Sequence, residues 1–148
     1  MILDVVFTKL DDRAIVPTYG SDFAAGADLY ALPKGEDTVI GAGETVLFHT
    51  GVALQIPDGY VGLIFARSGI ATKRGLAPSN KVGVIDSDYR GEIMVSIHNH
   101  SSVEQIIEDG ERIAQIAIMP YVTANFIESD ILDETQRGAG GFGSTGKH

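Results

Sequence analysis

The segment RIAQIAI at residues 112–118 places its apolar side chains mostly two positions apart. This spacing is typical of a strand that buries one face. Similar runs rich in Val, Ile, Leu and Phe occur at residues 44–56, 60–65 and 92–97. Turn signals such as Pro-Asp-Gly at 57–59 separate the runs at intervals typical of all-β proteins. The pattern predicts an antiparallel β sandwich or jelly roll.

One segment does not fit the strand pattern. Residues 68–74 follow the run at 60–65, and Ser68 suits the N-terminus of a short helix. The chain has 148 residues, the usual length of one domain. We therefore expect an all-β jelly roll with one short helix over residues 1–136, followed by a flexible C-terminal arm over residues 137–148.

Composition limits the class of protein. Hydrophobic residues make up 44% of the chain, which suffices for one core, and no run reaches the roughly 18 apolar residues of a membrane helix. There is no cysteine, which excludes disulfides and thiolate metal sites. The first residues lack the basic and apolar regions of a secretion signal. We expect a cytoplasmic protein that has no membrane partner.

The charge balance is strongly acidic. The net charge is -9, from 11 Lys and Arg against 20 Asp and Glu. A surface of this kind repels polyanions, so nucleic acid is not an expected partner. An anionic ligand requires either a few cations gathered in one pocket or a divalent metal that bridges carboxylates to the ligand.

Two polar clusters lie in the first half of the chain. Asp28 stands among small and apolar residues in AGADLYA at 25–31. It is either an outward-facing strand carboxylate or one that meets a metal through water. Arg67, Ser68 and Gly69 open the predicted helix, and a helix N-terminus and a guanidinium both suit phosphate. N-capping beside a surface arginine accounts for the same three residues.

Two further clusters lie in the second half. Residues 80–92, NKVGVIDSDYRGE, are dense in Asp, as in a solvated hairpin tip. Asp86, however, directly follows the apolar run VGVI. We expect its carboxylate to be partly buried at a strand end, where it can remove a proton from water. Gln115 falls among the apolar residues of the 112–118 strand, and a buried glutamine needs partners from protein, water or ligand.

The tail has a composition of its own. Residues 137–146, RGAGGFGSTG, contain five glycines and one aromatic residue. Such a segment cannot fold alone, because its ordering entropy is high and it has little to bury. A frayed terminus accounts for this composition, whereas the isolated Phe, Arg and hydroxyls favour an arm that orders over a ligand.

Taken in this order, five segments resemble the motifs of the trimeric dUTPase family. They are residues 25–31, 66–71, 80–92, 110–115 and 137–146. The Gly-x-Ile-Asp-x-Asp-Tyr-x-Gly stretch and the Arg-Gly-x-Gly-Gly-Phe-Gly-Ser-Thr-Gly tail are long and specific. The resemblance implies a jelly-roll homotrimer with shared active sites that hydrolyses dUTP to dUMP and pyrophosphate. This reaction limits uracil incorporation into DNA and supplies dUMP for thymidylate synthesis.

The resemblance also implies roles for single residues. Asp86 is the general base for the water that attacks the α-phosphorus, and it contacts the 3′-hydroxyl. Tyr89 packs beneath the deoxyribose and leaves no room for a 2′-hydroxyl. Asn80 and the backbone from Gly83 to Ile85 read the uracil edge. The implied phosphate ligands are Arg67, Ser68, Gly69 and Gln115.

The implied metal and arm contacts complete the site. Asp28 orients water on a Mg²⁺ ion that the triphosphate holds. In the arm, Phe142 stacks over uracil. The other implied arm contacts are Arg137, Gly143, Ser144 and Thr145, of which Arg137 and the two hydroxyls grip the γ-phosphate. The metal also fits the charge argument, because Mg²⁺ takes few protein ligands and prefers phosphate oxygens and water.

One departure from the family pattern is visible. The family usually has Pro before Arg-Ser-Gly, where this chain has Ala66. Alanine adds a backbone N–H and frees φ. We expect a slightly less rigid loop and no loss of function, since Arg67, Ser68 and Gly69 are intact.

Two other functions stay open. A dCTP deaminase of the same superfamily shares the fold, but it should carry a catalytic glutamate near the base and a different arm. A non-catalytic trimeric nucleotide-binding protein is the second alternative, since a fold does not fix function. The Asp86–Tyr89 pattern and the arm with Phe142 favour hydrolysis.

Overall fold

The computed structural model describes residues 2–141, which form eleven strands and one helix. In chain order these are β1 Val6–Lys9, β2 Thr18–Tyr19, β3 Ala27–Tyr30, β4 Thr38–Ile40, β5 Thr45–Gln55, β6 Tyr60–Phe65, α1 Ser68–Arg74, β7 Leu76–Pro78, β8 Gly83–Ile85, β9 Glu92–Asn99, β10 Gln105–Ile107 and β11 Arg112–Pro120. The predicted all-β jelly roll with one short helix is confirmed.

The strands form two main antiparallel sheets and a small one. The first sheet has the order β1-β5-β9-β7, the second has the order β2-β3-β11-β6-β8, and β10 pairs with β4. The strand predicted at residues 112–118 is β11, at the centre of the five-stranded sheet. Its neighbours β3 and β6 are distant in sequence, so this sheet brings separate motifs side by side.

Aliphatic side chains fill the core, and they come from strands of both sheets. In β9, Ile93, Val95 and Ile97 are buried whereas Met94 between them is exposed. In β11, Ile113 and Ile116 are buried as well. Burial of each such side chain stabilises the fold by about 1.5–3 kcal/mol. The alternation that predicted the strands therefore reflects their packing.

The turns and the helix follow the local sequence, with one correction. Gly59 has a φ of 81° in the predicted Pro-Asp-Gly turn, a conformation that favours glycine. The helix begins at Ser68, but Ser68 does not cap it. Arg67 occupies the N-cap position and makes no side-chain capping bond, because a guanidinium has no acceptor for a backbone N–H. Gly75, with a φ of 68°, ends the helix.

Beyond β11, the described chain contains no strand or helix, and residues 121–139 are exposed. Large apolar side chains there face solvent, namely Val122, Phe126, Ile127, Ile131 and Leu132. The boundary predicted at residue 136 stays a prediction. Within residues 2–141, no helix is long and apolar enough to cross a membrane.

Candidate active site

Three predicted site residues come together because their strands are adjacent. Gln115 of β11 lies opposite Asp28 of β3 on one side and Phe65 of β6 on the other. Arg67 follows Phe65 by two positions and so reaches the same end of the sheet. We call Asp28, Arg67 and Gln115, with Arg112 described next, the β11 cluster.

The carboxylate of Asp28 is bound by two arginines. Its side chain is 12% exposed, so the interpretation of Asp28 as an outward-facing strand residue is wrong. Arg67 Nε donates to Oδ1 at 2.7 Å, and Arg112 Nη1 donates to Oδ2 at 3.2 Å. Two guanidinium groups around one carboxylate leave local positive charge in an acidic chain. This is the gathering of cations that an anionic ligand requires.

Sequence reasoning did not single out Arg112. It stands at the first position of β11, where the pairing with β3 shifts in register before Ala114. Its guanidinium reaches Asp28, and its carbonyl oxygen accepts a hydrogen bond from Arg67 Nη1 at 3.2 Å. A β-bulge next to a site re-aims a side chain in this way, and the strand pattern carries no signal for it.

Gln115 fixes the loop that leads to Arg67. Its Nε2 donates to the carbonyl oxygen of Ala66 at 2.9 Å, so the protein supplies one of the predicted partners. A Cβ on Gly26 would lie 2.4 Å from Gln115 Oε1. Gly26 therefore has to be glycine for the amide to lie here. Since the bond uses the Ala66 carbonyl, which proline also has, the alanine at this position does not disturb it.

The start of the helix offers further donors beside Arg67. The first helical hydrogen bond runs from Ala71 N to Arg67 O at 3.0 Å. The amides of Ser68 and Gly69 precede it and have no partner within the helix, as at any helix N-terminus. Both residues are exposed. These donors and the arginine lie at the same end of the sheet as Gln115.

Asp86 lies at a different place within the same chain. Ile85 pairs with Gly62 of β6, five positions before Arg67, which corresponds to about 16 Å along a strand at about 3.3 Å per residue. Asp86 is exposed, so the prediction of partial burial is wrong for the single chain. The reason is that β8 is an edge strand, and the chain turns directly after it, with Tyr89 N bonded to Asp86 O at 3.1 Å.

The other residues predicted here lie in β8 and in the turns beside it, and residues 80–92 do not form a hairpin, because β8 pairs with β6 whereas β9 pairs with β5 and β7 in the other sheet. Gly83 is buried opposite Ile64, and a Cβ on it would lie 3.5 Å from Asn80 Nδ2. Tyr89 is 40% exposed, and its hydroxyl donates to the carbonyl oxygen of Glu92 at 2.9 Å. The residues predicted to contact base and sugar thus form one unit, separate from the β11 cluster.

The predicted arm residues are described only in part. Arg137 Nε donates to the carbonyl oxygen of Gly140 at 2.8 Å, and both residues belong to the segment after β11. Phe142, Gly143, Ser144 and Thr145 lie outside the described residues. Their roles stay predictions.

The donor set of the site fits a metal that arrives with phosphate. In residues 2–141, no group of three His, Cys, Asp or Glu side chains forms a metal site. Mg²⁺ needs no such group when phosphate oxygens and water fill its coordination shell. A carboxylate has about four acceptor positions, and the two arginines use one on each oxygen of Asp28. Asp28 therefore retains capacity for a metal-bound water.

Comparisons with known proteins agree with this geometry. The dUTPase family model matches residues 12–146. The deoxyuridine 5'-triphosphate nucleotidohydrolase of Nautilia profundicola is 50% identical, over 94% of this chain and 96% of that protein. The enzyme of the same name from Desulfitobacterium hafniense is 46% identical, over 96% and 94%. The solved dUTPase of Staphylococcus bacteriophage 80alpha with dUPNHPP has 29% identity and a TM-score of 0.87, covering 97% of this chain and 98% of its own.

These matches extend over nearly the whole chain and agree with one another. The chain belongs to the dUTPase family. Its activity is that of a dUTP diphosphatase, an enzyme that hydrolyses dUTP.

Proposed function

We propose that three copies of this chain form shared active sites that cleave dUTP between the α- and β-phosphates with the help of Mg²⁺. The observation that carries the proposal is the β11 cluster, which gathers positive charge at one end of the five-stranded sheet. Within one copy this cluster lies far from Asp86 along β6. A complete site therefore needs Asp86 from another copy.

The β11 cluster supplies the phosphate ligands. Asp28 holds Arg67 by its Nε, which leaves further guanidinium donors for phosphate oxygens. The amides at Ser68 and Gly69 add neutral donors, and the Oε1 side of Gln115 is fixed against Gly26. Donors fixed before the substrate binds stabilise charge that develops during the reaction without the cost of reorganisation.

The segment at residues 80–92 supplies the base and sugar contacts. Asn80 and the backbone of Gly83 to Ile85 hold the uracil edge, and Tyr89 lies beneath the deoxyribose. Asp86 accepts a proton from water while the water oxygen attacks the α-phosphorus. The bond from that phosphorus to the bridging oxygen breaks, and pyrophosphate leaves. Asp86 is exposed in the single copy. This suits a general base whose phosphate ligands come from another copy.

Asp28 has a second task in this proposal. When bound to the triphosphate, Mg²⁺ neutralises charge and orients the phosphates. Asp28 would hold the ion through a water molecule, using the hydrogen-bonding capacity that the two arginines leave. The arm of another copy then covers the nucleotide, with Phe142 over uracil and with Arg137, Ser144 and Thr145 at the γ-phosphate.

The proposed role in the cell follows from the reaction. Removal of dUTP in the cytoplasm limits uracil incorporation into DNA, and the dUMP product supplies thymidylate synthesis. Neither role needs a nucleic acid or membrane partner, in keeping with the acidic surface.

Product analysis tests the proposed reaction. Incubation with dUTP and Mg²⁺ should release pyrophosphate, and incubation with dCTP should release no ammonia. Asp86→Asn should lower turnover about 10²–10⁴-fold, the usual range for lost base catalysis, with little change in nucleotide affinity. Asp58→Asn, the same change in an exposed turn, is the matched control and should leave turnover unchanged. Near-wild-type turnover of Asp86→Asn would exclude Asp86 as the base, and ammonia from dCTP would indicate a deaminase.

A further inference from the structure

The ring of Tyr89 lies against Gly91, and this contact leaves no room for a side chain at position 91. A Cβ on Gly91 would lie 2.4 Å from the Tyr89 hydroxyl oxygen, 2.6 Å from Cζ and 2.9 Å from Cε2, whereas real Cβ contacts essentially never fall under 3.0 Å. The three nearest atoms all belong to Tyr89, and Gly91 has no positive φ. Glycine is therefore required by the ring and not by the backbone.

A hydrogen bond to the main chain also fixes the hydroxyl end of the Tyr89 ring. The hydroxyl of Tyr89 donates to the carbonyl oxygen of Glu92 at 2.9 Å. The carboxylate of Glu92 accepts a hydrogen bond from Gly51 N at 2.8 Å and one from His49 Nδ1 at 2.8 Å. Partial burial raises the pKa of Glu92, but these hydrogen bonds together outweigh it and hold that pKa below its ordinary value. The carboxylate is thus charged at neutral pH and keeps both bonds.

Gly51 makes this anchor rigid. It has a φ of 69°, and it lies where the pairing of β5 with β9 shifts in register between His49 and Ala53. A Cβ on Gly51 would lie 2.8 Å from the Cβ of Ala14, a core residue. The bulge is thus packed tightly against the core. The Glu92 side chain is hydrogen-bonded to that bulge. The Glu92 backbone carbonyl is therefore a rigid acceptor for the Tyr89 hydroxyl.

We infer that Gly91 is a positioning residue for sugar selectivity, because its lack of a side chain lets the Tyr89 ring lie against the backbone with its hydroxyl on the Glu92 carbonyl. The inference rests on the proposed place of Tyr89 beneath the deoxyribose. A methyl group at position 91 displaces the ring. Since Tyr89 is 40% exposed, the displaced ring moves toward solvent, and it then no longer lies where it excludes the 2′-hydroxyl of UTP.

The test compares Gly91→Ala with wild type and with Gly20→Ala. Gly20 also has no positive φ, but a Cβ there meets nothing within 4 Å, so it controls for the change from glycine to alanine. The measured quantity is the ratio of kcat/KM for dUTP to kcat/KM for UTP. Gly91→Ala should lower this ratio by about fivefold or more, within the range for selection by shape. Gly20→Ala should leave it unchanged.

The double variant Tyr89→Ala/Gly91→Ala separates the positioning of the ring from general damage to the segment at residues 80–92. With no ring to displace, Gly91→Ala should have no further effect on the ratio in the Tyr89→Ala background. An equal effect in both backgrounds overturns the inference, as does an unchanged ratio in Gly91→Ala. If Gly91→Ala does not fold, rescue of folding in the double variant supports the contact and failure of both variants overturns it.

The two levels of the proposal fail in different ways. If Tyr89→Ala leaves the ratio unchanged, the proposed role of Tyr89 is wrong, and the inference about Gly91 falls with it. If Tyr89→Ala lowers the ratio and Gly91→Ala does not, only the inference about Gly91 is wrong.

Discussion

Single residues explain how an acidic chain can hold a highly charged anion. Asp28 does not compete with a phosphate for space, because its carboxylate is buried beneath Arg67 and Arg112. It fixes both guanidinium groups at one end of the sheet while their combined charge exceeds its own. The net charge of -9 is therefore distributed away from the one place where positive charge is required.

Selectivity for deoxyribose belongs to the same scale. Tyr89→Ala removes the ring that is proposed to lie beneath the sugar and should raise the use of UTP relative to dUTP. Rejection of a hydroxyl by shape alone is modest, on the order of 1–3 kcal/mol. The measurement is the ratio of the specificity constants for UTP and dUTP, compared between wild type and Tyr89→Ala. An identical ratio in the two enzymes would show that discrimination lies elsewhere.

The sequence predicted some of these residue environments and missed others. It indicated that Gln115 needs hydrogen-bond partners, because a glutamine among apolar strand residues is conspicuous. It could not reveal that Arg112 binds Asp28 or that Gly91 lies against Tyr89. Those contacts depend on strand register and on a ring position, neither of which has a local sequence signal. The roles assigned to these residues stay predictions.

Strands and turns were more predictable than single side chains. The long strands β5, β9 and β11 alternate buried and exposed positions, or bury a continuous run, so their composition reveals them. The short edge strand β8 has three residues and no period to detect. Its edge position explains why Asp86 is exposed although an apolar run precedes it. The order of strands in the sheets depends on pairing between strands that are distant in sequence. No short stretch of sequence reveals that order.

One prediction at the scale of structural elements concerns the C-terminal segment. Truncation after Gln136 removes the glycine-rich residues and keeps the exposed apolar side chains of residues 121–132. We expect a folded trimer with little dUTP hydrolysis, since the removed segment is glycine-rich and offers few side chains for packing but is proposed to cover the nucleotide. Light scattering gives the assembly and pyrophosphate release gives the activity. Truncation after Gly146 is the control and should be active, and an equally active Gln136 truncation would contradict the proposed arm.

At the scale of the whole molecule, the proposal gives one copy two half-sites and no complete site. In the proposal, the β11 cluster carries the phosphate ligands and the segment at residues 80–92 carries the general base, with several strand positions between them. The exposed apolar side chains after β11 and at Val6 and Phe7 in β1 provide surface for other copies to cover. Assembly in this account is therefore a condition for catalysis as well as for stability.

The most direct measurement is complementation between two inactive chains. Protein truncated after Gln136 is refolded together with full-length Asp86→Asn protein in equal amounts. Random mixing makes about three-quarters of the trimers mixed, and in a cyclic trimer each mixed assembly contains one complete site, so activity should recover to roughly a quarter of wild type. If the arm instead closes the site that holds its own Asp86, no mixture combines the two parts. Baseline activity, with mixed trimers confirmed by native mass spectrometry, would contradict the claim that the arm closes a site holding the Asp86 of another copy.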